Sequence, residues 1–176
     1  MTKKLQKTTV SNEKLKQEIT KRKKEEKHIK YLSFHDEMTG LYNRRYFENE
    51  MLRLNKSRKL PISIIVTDID GLKKINDNYG HKKGDEYIIM AAEILKKITR
   101  KEDIVSRIGG DEFAILLPKT AKEKAEKIIA RIKKKTSPKK DKELTVDIAL
   151  GFAVKNAPDC TASLRRDGRV LLVVYR

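Results

Sequence analysis

Four acids stand where phosphoryl chemistry would want them. Asp68 and Asp70 follow the β-branched run at 62–67, and Asp111 and Glu112 follow two glycines in Arg107-Ile108-Gly109-Gly110-Asp111-Glu112-Phe113. Carboxylates just past a buried strand need a counter-charge, and a divalent cation serves when nucleotide phosphate supplies the remaining oxygens. The period of two puts Asp68 and Asp70 on one side. Gly71 lets backbone approach phosphate, and Lys73 can neutralise it. Adjacent glycines between apolar segments predict a tight hairpin with positive φ at the turn. An Asp-x-Asp after a strand serves turn and cap chemistry equally well, and an acidic hairpin tip is also simply well solvated. On these residues alone both readings stay open.

The elements that must position these acids follow from periodicity. From Leu15 to Leu32 a charged stretch without Gly or Pro carries the stripe Leu15, Ile19, Arg22, Glu26, Ile29 and Leu32, which predicts a helix with a thin apolar seam. Asn43 is the expected N-cap of a helix with Phe47, Met51 and Leu54 on its buried face, ending near Pro61. The run 62–67 predicts a buried central strand. A helix is expected to open at Gly84-Asp85-Glu86, with Asp85 as a cap and Ile88, Ala91, Ala92, Leu95 and Ile98 buried. A strand over 104–108 enters the hairpin. Thr120 and Glu123 suggest a capping box before a helix with Ala121, Ala125, Ile128, Ile129 and Ile132 inside, and 144–150 alternates like a strand. Strands interrupted by helices, with one antiparallel pair, predict an α/β sandwich on a mixed sheet. His35 has no metal-spaced partner and reads as structural.

Composition narrows the classes. The 176 residues suit one domain with an appendage, and 38% hydrophobic content is enough for a core. The formal net charge is +17. It is concentrated in 1–35, with eleven Lys and Arg against four Glu, and in 131–142, with seven bases against Asp141. Neither run interleaves aromatics, so no nucleic-acid partner is expected, and solvated lysine faces explain the excess. The single cysteine, Cys160, excludes an intrachain disulfide framework and a zinc cluster, in keeping with a reducing compartment. No apolar run is of spanning length, so a cytoplasmic location is expected, compatible with a membrane-attached parent protein.

Three blocks then carry a family resemblance. They are Asp36-x-x-Thr39-Gly40-Leu41-x-Asn43-Arg44-Arg45, Asp68-Ile69-Asp70-x-x-Lys73-x-x-Asn76-Asp77-x-x-Gly80-His81-x-x-Gly84-Asp85, and Arg107-x-Gly109-Gly110-Asp111-Glu112-Phe113. In this order and spacing the chain resembles the GGDEF family of bacterial diguanylate cyclases over about 36–155. The resemblance implies a ferredoxin-like α+β fold of the nucleotidyl-cyclase and palm-polymerase type. It also implies condensation of two GTP into cyclic di-GMP and two pyrophosphates by a homodimer. Asp68, the Ile69 carbonyl and Asp111 would hold Mg2+ or Mn2+, with Asp111 also the base and Glu112 supporting. Asn76 and Asp85 would read guanine, with His81 beside the nucleotide, and Lys73 with the Gly71-Leu72 backbone would cradle phosphate. Asn offers donor and acceptor while Asp accepts, which suits guanine's N1–H and N2–H2. Arg100-x-x-Asp103 resembles the family's product-inhibition site, against a plain helix-end ion pair.

The domain reading is therefore a signalling or linker helix over 1–35, with an upstream sensor compatible, the family domain over 36–155, and a tail over 156–176. The tail lacks the family's last helix with its phosphate-contacting Lys and Arg. All thirty lysines lie at or before Lys155, while the final 21 residues use four arginines and no lysine. A frame-altered or foreign tail is expected, with weak or absent cyclase activity and 170–175 as an added strand or exposed edge. The competing classes are a module that binds GTP or cyclic di-GMP without turnover, and a basic nucleic-acid binder.

Overall fold

The computed structural model describes residues 2–57, 60–136, 146–156, 160–164 and 170–174, with side chains for 13–57, 60–136 and 146–156. The chain divides into two compact units, Met1–His35 and Asp36–Arg176. The first is a single helix, α1 (Thr2–Phe34). Leu15, Ile19 and Ile29 are exposed on it, and Arg22 donates to Glu18 Oε1 at 2.8 Å. Near its end the rings of Tyr31 and His35 stack with centroids 4.0 Å apart. Among the described residues no helix is long and apolar enough to cross a membrane.

The second unit is built on a five-stranded mixed sheet. In chain order come β1 (Tyr42–Asn43), α2 (Arg44–Asn55), β2 (Ile62–Ile69), α3 (Leu72–Tyr79), α4 (His81–Ile98), β3 (Ile104–Arg107), β4 (Glu112–Leu117), α5 (Lys122–Thr136) and β5 (Ile148–Lys155). The strand order is β1-β3-β4-β2-β5, with only β1 and β3 parallel. A further hairpin, β6 (Cys160–Leu164) with β7 (Val170–Val174), forms its own two-stranded sheet. The segment expected as an added strand thus pairs with β6; Tyr175 lies outside the described residues.

Strand alternation sends β2 side chains to two cores. Ile65 and Ile69, with Phe113, Ile115 and Leu117, pack on Ala91, Ala92 and Leu95 of α4 and on Ala125, Ile128 and Ile132 of α5. Ile62, Ile64 and Val66, with Ala114 and Leu116, pack on Phe47 and Leu54 of α2. Each such large apolar side chain is worth about 1.5–3 kcal/mol when fully buried, so β2 is fixed from both faces. Its last residues then emerge at the sheet's end in a set register, Asp68 opposite Glu112 on β4 and Ala149 on β5. The expected mixed α/β sandwich is the observed architecture.

Local expectations fared unevenly. Asn43 caps α2, accepting from Tyr46 N–H at 3.0 Å, but α2 ends at Asn55, short of Pro61. The stretch 72–79, to which the sequence reading assigned no element, is α3. Its Asn76, Asp77 and Asn78 are poor helix formers, and the helix is held by packing of Leu72 and against α4. The next helix starts at His81, three residues before Gly84, so Asp85 sits inside α4 and is not its cap. Thr120 Oγ1 donates to Pro118 O at 3.1 Å, and α5 begins at Lys122, so Thr120 lies one residue before the N-cap position of the expected capping box. The last strand of the sheet lies at 148–155; Val146 and Asp147 precede it, and 144–145 fall outside the described residues.

Candidate active site

Asp68 is the centre of an uncompensated acidic cluster. The β2–β4 register sets it across from Glu112, and Ile69 N–H donates to Asp111 O at 3.1 Å, drawing the turn onto the strand end. Asp70 N–H is held by Asp147 O at 3.0 Å. Burial pushes the Asp68 carboxyl up, and the neighbouring Asp111, Glu112 and Asp70 push it further. Among the described residues no ion pair neutralises Asp68, Asp111 or Glu112. Nor do three or more His, Cys, Asp or Glu side chains among them form a ready cage for a metal. Two aspartates and a backbone carbonyl, unpaired with any base, suit a hard cation that takes its other oxygens from phosphate and water.

The turn between β3 and β4 is made differently from the two-residue primed turn that Gly109-Gly110 suggested. Among the described glycines positive φ occurs at Gly40, Gly71 and Gly80, and at neither of these two. Residues 108–111 link the strands, and both Ile108 N–H and Gly109 N–H donate to Glu112 O, at 2.9 and 3.3 Å. Gly109 is crowded by Glu112: a Cβ there would collide with Glu112 Oε2 and stand 3.1 Å from its Cβ and Cδ, so the Glu112 side chain would have to move. Arg107 closes the turn, its Nε and Nη2 donating to Gly110 O at 3.2 and 2.6 Å. Its Nη1 lies 3.3 Å from both oxygens of Asp36. Both residues stood in the quoted sequence blocks, yet nothing in the sequence gave them a role. Their spacing of 71 residues hides the pair.

Behind the strand end, Gly71 adopts the left-handed conformation, φ 73°, and opens α3. Leu72 is buried and Lys73 exposed. On the next turn of α3 the Asn76 side chain lies over Gly84 of α4, where any Cβ would collide with Asn76 Oδ1. That oxygen is buried without a hydrogen-bond partner. An orphaned amide oxygen is costly in a core and useful in a site, since a ligand donor can satisfy it. The α3–α4 packing thus brings Asn76 beside the turn of helix that carries Asp85, while His81 is exposed at the start of α4. The sequence signal for Gly84 was misread as a helix start because its in-helix role depends on a neighbour.

Arg100 and Asp103 form a closed local turn. Arg100 N–H donates to Asp103 Oδ2 at 2.7 Å and Asp103 N–H to Arg100 O at 3.2 Å. Asp103 is buried, which pushes its carboxyl up against the opposing pull of the Arg100 N–H and charge. The Arg100 guanidinium is exposed and lies 3.9 Å from Glu102. The ion pair at this helix end is therefore with Glu102, and Asp103 ties the backbone.

Comparison with known proteins places these features. Residues 33–164 match the family described as diguanylate cyclase, GGDEF domain. The chain is 42% identical over 107 residues to diguanylate cyclase DgcM of Escherichia coli K12, covering 58% of this chain and 26% of that one. It is 36% identical over 105 residues to the probable diguanylate cyclase DgcT of the same organism, covering 59% and 23%. It therefore spans about a quarter of the length of these relatives. The fold matches the coiled coil and GGDEF domain of DgcB from Caulobacter crescentus, solved in complex with c-di-GMP. The TM-score is 0.72 at 23% identity, covering 79% of this chain and 78% of that one. With three-quarters of its length matched, this chain belongs to the GGDEF family of diguanylate cyclase domains.

Proposed function

We propose that this domain condenses two GTP molecules into cyclic di-GMP with release of two pyrophosphates, as a homodimer in which each subunit holds one GTP. The observation that carries the reading is the unpaired cluster of Asp68, Asp111 and Glu112 at the adjoining ends of β2 and β4. Asp68, the Ile69 carbonyl and Asp111 would hold Mg2+ or Mn2+. When bound, such an ion would neutralise negative charge on the phosphoryl oxygens and so favour attack at the α-phosphorus. Asp111 accepts the proton of the attacking ribose 3′-hydroxyl, and Glu112 supports the metal site. Asn76 and Asp85 read the guanine edge. The unpartnered Asn76 oxygen supports this, because guanine's N–H donors would satisfy it. Lys73 and the Gly71-Leu72 backbone hold phosphate, and His81 flanks the nucleotide. Arg100 and Asp103 form the product-inhibition site, chiefly through the exposed Arg100 guanidinium. The apolar stripe of α1 brings two copies together, as each 3′-hydroxyl must reach the other subunit's GTP.

The tail tempers the activity. A β6–β7 hairpin stands where the family pattern continues into a helix bearing phosphate contacts. Turnover by this chain is accordingly weaker than by a relative with that helix. Incubation with GTP and Mg2+, with cyclic di-GMP resolved by chromatography, tests both statements. Product formation that vanishes in Asp111→Asn supports the cyclase, and a rate equal to a relative with the usual ending refutes the impairment. The missing contacts favour a second reading, a module that binds GTP or cyclic di-GMP without turnover. Calorimetric binding of either nucleotide with no product formed would establish it.

A further inference from the structure

The turn carrying Asp111 does not draw its shape from left-handed glycines, so its geometry needs another source. Both peptide planes that flank Asp111 are pinned from outside the turn. The following peptide is held through Asp111 O, which accepts from Ile69 N–H at 3.1 Å. The preceding peptide is held through Gly110 O, which accepts two N–H groups of Arg107. With both planes fixed, the direction of the Asp111 side chain is set by these two anchors.

Arg107 is itself anchored. Its Nη1 faces both Asp36 oxygens and lies 3.4 Å from Met38 Sδ. Asp36 in turn accepts from Thr39 N–H at 2.9 Å and Thr39 Oγ1 at 2.7 Å. Asp36 N–H donates to Leu41 O and Gly40 N–H to Asp36 O, at 2.8 and 2.9 Å, closing the 36–41 turn. A planar guanidinium meets a carbonyl with one edge and a carboxylate with another; a lysine ammonium has no such fork. We propose that Arg107 is a positioning residue: it clamps the Gly110–Asp111 peptide to the 36–41 turn and so aims Asp111 at Asp68. The consequence for turnover rests on the cyclase reading; the clamp itself does not.

The test uses the whole chain with Arg107→Ala, Arg107→Lys and Asp36→Asn. In metal-free protein, amide hydrogen exchange at Ile69 and Gly109, whose N–H groups are bonded to Asp111 O and Glu112 O, is expected to rise at least tenfold in Arg107→Ala. The β2–β4 ladder at Ile65 and Ile115 stays unchanged. Mn2+ binding, followed by the paramagnetic signal of the free ion with a non-hydrolysable GTP analogue present, is expected to weaken at least tenfold. Affinity for guanosine monophosphate stays within twofold, because Asn76 and Asp85 are untouched. Arg107→Lys keeps the charge without the fork and is expected to recover only part of the loss; Asp36→Asn should lose less than Arg107→Ala. Unchanged exchange at Ile69 and Gly109, a uniform rise across the sheet in both Arg107 variants, or full recovery by lysine overturns the proposal. If the wild type binds no Mn2+, the cyclase reading of the site fails, and the exchange measurement still decides the clamp.

Discussion

Asp36 and Asp68 are partly buried aspartates joined to the same turn, one through Arg107 and one through the β2–β4 register, and the protein treats them oppositely. Burial would raise the Asp36 carboxyl, but the Thr39 hydroxyl and N–H and the Arg107 guanidinium together hold it below the ordinary 3.8. Asp68 is raised by burial and then by three acids, and among the described residues no base pairs with it. The first is an acid of the framework, paired by its own domain. The second is left with an unmet electrostatic need, as expected of a group whose partner arrives with a ligand. Pairing marks what the fold consumes, and its lack marks what the fold reserves.

The sharpest way to break this contrast is to neutralise the reserved acids. Asp111→Asn is expected to lower cyclic di-GMP formation by roughly 10³-fold, the scale of losing a preorganised charge in the transition state. Asp68→Asn should do the same while stabilising the metal-free fold by roughly 0.5–1 kcal/mol, since it removes a like charge directly across from Glu112. Chemical denaturation without metal measures this. A loss of stability there would mean that the cluster is structural. Neutralising the framework acid has the opposite sign: Asp36→Ala strands Arg107 and two Thr39 donors and should cost about 2–3 kcal/mol. The pH dependences separate as well. A depressed carboxyl stabilises above its unfolded value and loses this as pH falls through the folded one, so the Asp36 contribution fades below pH 3.8. For Asp68 the contribution is present below 3.8 and is lost as pH rises through its elevated folded value.

Much of this was legible in the sequence, where it depended on near neighbours. The 62–67 run, the apolar stripes of α2, α4 and α5, and the Asn43 cap follow from local spacing, and so does the joining of Asp68 to the Gly-Gly turn once the family blocks are seen. What was not legible depends on distant partners. The Asp36–Arg107 pair spans 71 residues. Gly84 looks like a helix breaker because the reason for it, Asn76, lies on another helix. Helix α3 contains the poor helix formers Asn76, Asp77 and Asn78, and the crowding at Gly109 comes from Glu112 rather than from φ.

The contrast extends to uncharged groups through Asn76, whose oxygen is reserved in the same way. Gly84→Ala should drive the amide out of place at a cost of about 1–2 kcal/mol. It should also raise the dissociation constant for guanosine monophosphate several-fold while leaving Mn2+ binding unchanged. Equal weakening of both would mean that α3 as a whole, and not the amide, was displaced.

Asp103 is the intermediate case and gives the smallest effect. It is paired like a framework acid, accepting from Arg100 N–H, and raised like a reserved one. An asparagine there still accepts from that N–H and no longer carries a buried charge. Asp103→Asn should therefore change stability by less than about 0.5 kcal/mol at neutral pH. Its elevated carboxyl contributes stability in acid that is lost as pH rises, so acidification should shift the balance toward the wild type. If Asp103 only ties the backbone, inhibition by cyclic di-GMP persists in Asp103→Asn and is lost in Arg100→Ala, whose guanidinium is exposed. If inhibition is lost equally in both, the carboxylate serves the ligand as well as the turn, and Asp103 belongs with the reserved acids.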